Sequence, residues 1–61
     1  MKIFELRIEL ENDAFVPLPG ELLRIIRIVI SHIDAGYSQG TCMDINGNKV
    51  GHWRIGDESE M

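Results

Sequence analysis

Three sets of residues in this chain have types and spacing that could do chemistry. Cys42 and His52 lie on opposite sides of the pair Asn46 and Gly47. In one register of the hairpin that this pair implies, they face each other as a thiol and an imidazole, the materials of a nucleophile and its base. Asp44, two residues along from Cys42, would complete a trio. Such a trio also needs a cleft that excludes water, which one helix on a small sheet has little room to build, so an enzyme is not expected. Asp44, Asn46 and Asn48 around Gly47 fit the opening of a calcium loop. The complete loop needs glycine at its sixth place and a bidentate glutamate at its twelfth. Counted from Asp44, Gly47 is fourth and Ile55 is twelfth, so these residues read as turn chemistry, and neither a metal nor another cofactor is expected.

The third set is cationic. Arg24, Arg27, Lys49 and Arg54 are the residues with which a small nucleic-acid-associated regulator would work. The formal charge is −4, and no basic stripe forms. The footprint of a phosphate-backbone binder is missing, so nucleic acid is an unlikely partner and stands as the second reading. Acidity gathers in the first strand, with Glu5, Glu9, Glu11 and Asp13, and in the tail, with Asp57, Glu58 and Glu60.

The elements that must position these residues follow from periodicity. Across residues 3–11, Phe4, Leu6, Ile8 and Leu10 alternate with Glu5, Arg7, Glu9 and Glu11, the pattern of a half-buried strand. Asn12, Asp13, Pro17 and Pro19 end it, leaving a loop in which Phe15 and Val16 are free to plug a core edge. Pro19 and Gly36 bracket a helix of about fifteen residues, with proline near its start and glycine after its C-cap. Its apolar arc is wide, taking in Leu22, Leu23, Ile25, Ile26, Val29, Ile30 and Ile33, and Ile28 is left beyond it beside His32. Asn-Gly then marks a hairpin between strands Thr41–Ile45 and Lys49–Ile55. A strict two-residue turn sets Trp53 opposite Gly40, on the face away from Met43. A three-residue loop of Asn46 to Asn48, or a type I turn from Asp44 with a bulge at Gly47, gathers Met43, Ile45, Trp53 and Ile55 on the buried face. We expect the second parity, with Cys42, Asp44, Val50, His52 and Arg54 pointing outward.

The expected fold is therefore α+β, in the order β-α-β-β, with one helix packed on a three-stranded sheet. It forms one domain over residues 1–55, followed by a disordered acidic tail at 56–61. Alternation at the N-terminus leaves no apolar run for a signal peptide, and the interrupted stretch Ile25–Ile33 is too short to span a bilayer. Together with one unpaired cysteine, these features predict a cytoplasmic protein without membrane contact.

A chain of 61 residues, 44% apolar, has a small core. At roughly 1.5 kcal/mol of conformational entropy per residue against about 25 cal/mol per Å² of buried apolar area, its folding balance falls near zero. No disulfide can form within it, so self-association is the remaining source of stability. The surplus apolar helix surface predicts a homodimer, with Leu22, Ile25, Ile28, Val29 and His32 at its interface.

Several segments are also familiar together: Asn12, Ala14 and Phe15 after the first strand, Glu21, Leu23, Arg24 and Ile25 in the helix, and the run Asp44-Ile45-Asn46-Gly47-Asn48-Lys49-Val50-Gly51. In these the chain resembles a group of small proteins of bacteriophages, prophages and other mobile elements of bacteria. The resemblance covers most of the chain, and its most specific part is that last run. It implies a genomic context, with a host or phage protein as a further partner, and carries no activity or functional residue. The isoleucine-rich helix departs from the more polar helix of that group.

Overall fold

The computed structural model describes residues 1–57. Strand β1 is Lys2–Ile8, helix α1 is Gly20–Asp34, β2 is Gln39–Met43 and β3 is Lys49–Asp57. The order β-α-β-β and the α+β class are as the periodicity predicts. The sheet runs β1-β3-β2, with β3 antiparallel to both neighbours, so β1 and β2 point the same way and both are edges. The domain extends past residue 55, because Gly56 and Asp57 continue β3 opposite Ile3 and Lys2. The remainder of the expected tail, 58–61, lies outside the described residues.

Local chemistry explains each element. The alternation of β1 places Phe4, Leu6 and Ile8 opposite Ile55, Trp53 and Gly51 on the face that carries the core. Between β1 and α1, Asn12 accepts a hydrogen bond from the Ala14 amide at 2.8 Å and starts a single 3-10 turn, Asp13–Phe15. Phe15 plugs the core from that turn, whereas Val16 stays exposed. At the other end of α1, Gly36 takes φ +99°. The Gly36 amide donates to the Ile33 carbonyl and the Tyr37 amide to the His32 carbonyl, the paired bonds of a Schellman cap.

The hairpin corrects the expected parity. The Gly47 amide donates to the Asp44 carbonyl at 3.0 Å and Gly47 sits at φ +85°, so the turn is the one that starts from Asp44 with its bulge at Gly47. A second irregularity then intervenes: Met43 pairs with Lys49 and Cys42 with Gly51, which leaves Val50 as a bulge. The bulge reverses the phase, and Gly40 comes to lie opposite Trp53. Cys42, Asp44 and Val50 therefore face the core, while Met43 and Ile45 face out. His52 and Arg54 point outward as expected.

The core consists of Phe15, Ile25, Val29, Cys42, Val50 and Trp53, with Leu6, Ile8, Leu22, Ile33 and Ile55 packed around it. Helix α1 packs on β2 and on the 3-10 turn, so the edge of the sheet at β1 is thinly covered. No helix among the described residues is long and apolar enough to cross a membrane.

Candidate functional site

A groove of about 210 Å³ runs between α1 and β2. Ile25, Val29, Cys42 and Trp53 give it an apolar lining, and Arg24, Ile28, His32, Thr41 and Met43 border it. Trp53 is the largest buried side chain, and its indole Nε1 has no acceptor. A Cβ at Gly40 would sit 2.5 Å from that nitrogen, so the indole lies directly on the glycine of the edge strand. A buried donor without a partner costs about 1–3 kcal/mol, and this one is closed off against the glycine of the edge strand.

Two carboxylates hold the groove's other end. Glu21, in the first turn of α1, receives Arg24 Nε and Nη2 on its two oxygens, each at 2.8 Å, and the Ile45 amide at 2.7 Å. The Arg24 fork, and then the backbone contact, hold its carboxyl below the usual glutamate range despite the opposing effect of desolvation. Arg24 Nη2 also reaches the Met43 carbonyl at 3.3 Å. This ties the start of the helix to the end of β2.

Asp44 is 4% exposed and is the one charged residue buried among those described. Its Oδ1 accepts the Asn46 amide at 2.9 Å and the Asn48 amide at 2.8 Å. Its Oδ2 accepts Asn12 Nδ2 at 2.6 Å and Asn48 Nδ2 at 3.1 Å. These donors, the Asn48 amide foremost, lower its pKa. Both oxygens are occupied by N–H groups, so the residues that suggested a calcium loop are instead a carboxylate-centred turn that also clamps the loop after β1.

The structure separates several residues that the sequence brought together. Cys42 lies in the core, where burial raises its pKa and keeps it a thiol, while His52 is exposed on the opposite face of the sheet. The expected meeting of the two is overturned by the bulge at Val50. The four cations are dispersed as well. Arg24 is paired with Glu21, Arg54 crosses the outer sheet face to Glu5 at 2.7 Å, Arg27 is on the exposed side of α1 and Lys49 begins β3. Of the expected interface, Ile25 and Val29 are spent in the chain's own core and Leu22 is half-buried, which leaves Ile28 and His32 at the groove's border. His32 packs edge-on to Tyr37, with ring centroids 5.6 Å apart. The orphaned indole was not anticipated. Its only signal in the sequence is the chance of Gly40 facing Trp53 in one hairpin register.

Comparison of the chain with protein-family models, with curated proteins and with solved structures finds no match.

Proposed function

We propose that this protein is a non-enzymatic interaction module that works as a homodimer and leaves the groove between α1 and β2 to a second protein. One observation carries the reading. Among the described residues, eleven large apolar side chains are exposed, against six apolar residues that are buried. A domain this small gains more from covering such surface than a larger one does, because its own core supplies so little. Leu23 and Ile30 lie on one flank of α1, Ile28 on the other, and Phe4 at the edge of the sheet. The segments that resemble small phage proteins favour a host or phage protein as that partner.

Sedimentation velocity on the full chain, from micromolar to submillimolar concentration, tests the dimer. A single species of twice the chain mass is expected, and a monomer throughout that range refutes the reading.

A further inference from the structure

We infer that the homodimer forms by antiparallel pairing of β1 with β1 of a second copy, with Leu6 on the two-fold axis, so that two three-stranded sheets become one of six strands. The inference rests on the homodimer reading and names its surface.

The hydrogen-bond phase of β1 shows what its open edge offers. The Glu9 amide donates to the Val50 carbonyl at 2.8 Å, and the pairing of Lys2–Ile8 with Asp57–Gly51 is unbroken. In an antiparallel ladder, alternate residues turn their backbone groups toward the neighbour. Ile3, Glu5 and Arg7 therefore bond to β3, and the N–H and C=O groups of Phe4, Leu6 and Ile8 point to the open edge. β1 contains no proline, glycine or bulge, and its one lysine is at the end. The other edge, β2, has five residues, and Arg24 already caps its Met43 carbonyl. Phe4 is 51% exposed on the core side of β1, its ring tilted against Trp53 at 6.3 Å.

Charge then selects the register. A two-fold antiparallel pair that keeps core face with core face, and pairs β1 over most of its length, is centred on Phe4, Glu5 or Leu6. The first leaves Glu5 opposite Ile3 with no charged partner, and the second sets Glu5 against Glu5. Only the Leu6 centre pairs Glu5 with Arg7 of the second copy, twice by symmetry, and it also sets Phe4 against Ile8 twice. Within the chain, Glu5 is bonded to Arg54, and no ion pair occupies Arg7 among the described residues. Arg7 is thus free to answer a carboxylate from outside.

Amide exchange and charge exchange test this together. In the wild-type dimer, the Phe4, Leu6 and Ile8 amides should exchange slowly, and they should speed up on dilution while those of Ile3, Glu5 and Arg7 do not. Arg7→Glu sets glutamate against Glu5 across the axis and should weaken the dimer by about tenfold or more. Glu5→Lys should do the same, with circular dichroism confirming that each variant is folded. Mixing the two variants should restore a heterodimer, since every cross-axis pair is then of opposite charge. A wild-type dimer in which the Phe4, Leu6 and Ile8 amides exchange freely, or folded variants that dimerise as well as the wild type, overturns the β1 interface and leaves the homodimer standing. A monomer at all concentrations overturns both.

Discussion

The hairpin end of the molecule and its β1 edge treat polar groups in opposite ways. At the hairpin, Asp44 and Glu21 collect amide and side-chain donors from three segments: the loop after β1, the start of α1 and the turn itself. At the β1 edge, three residues turn unpartnered backbone groups outward beside a half-exposed phenylalanine. Buried polar networks that are fully satisfied fix one arrangement among close competitors. Unpaired edges invite addition. The difference teaches that this small chain concentrates its satisfied polar contacts at one end and leaves open backbone groups at the other.

The sharpest way to break the comparison is to detach β1. A Cβ at Gly51 would collide with the backbone carbonyl of Arg7, so Gly51→Ala should cost about 3 kcal/mol or more and leave no folded population by circular dichroism. Next in size is the core shared by both regions. Ile25→Ala should cost about 3 kcal/mol in urea unfolding, enough to consume most of a marginal domain's stability. Gly40→Ala pushes on the indole and should cost about 2 kcal/mol, with the emission of Trp53, the only tryptophan, moving to longer wavelength.

The hairpin end has a pH signature. Asp44 has a folded pKa below its unfolded one, so its contribution is fully present above about pH 4 and is lost as pH falls through the folded value. Asp44→Asn should therefore be less stable than wild type at neutral pH, with the gap closing in acid. Chemical denaturation at several pH values measures this, and a gap independent of pH would show that the carboxylate's charge is not what holds the turn. The smallest effect is expected at Ile45, 69% exposed on the turn. Ile45→Thr should change stability by less than about 0.5 kcal/mol.

Much of this architecture is legible in the residues. Period-two alternation identifies β1, and Pro19 with Gly36 brackets α1, because backbone geometry permits few other uses of those residues there. Asn46 and Gly47 locate the turn for the same reason. What the sequence does not disclose is the phase of β2. Two patterns compete, Met43 and Ile45 facing inward or Cys42 and Asp44, and hydrophobicity favours the first. The second prevails through side chains distant in sequence, since Asn12 reaches Asp44 from the loop after β1 and Glu21 reaches the Ile45 amide from the helix. The candidate site shares that fate. Its groove exists only once Cys42 and Trp53 lie on one face, and the orphaned indole only once Gly40 lies beneath it.

The bulge at Val50 bears on how the chain tolerates change in length. Val50 is the one residue of the hairpin without an opposite number, so removing it leaves every pair between β2 and β3, and all seven pairs between β1 and β3, with the partners they have now. A deletion elsewhere in either strand reverses faces along the sheet. An insertion or loss at this position is therefore silent in strand order and is felt as volume, the buried valine gained or forfeited, and at the bond from the Glu9 amide to the Val50 carbonyl. For a domain with so few interior side chains, lengthening a strand by one residue that has no partner on β2 is a way to enlarge the core without enlarging the sheet.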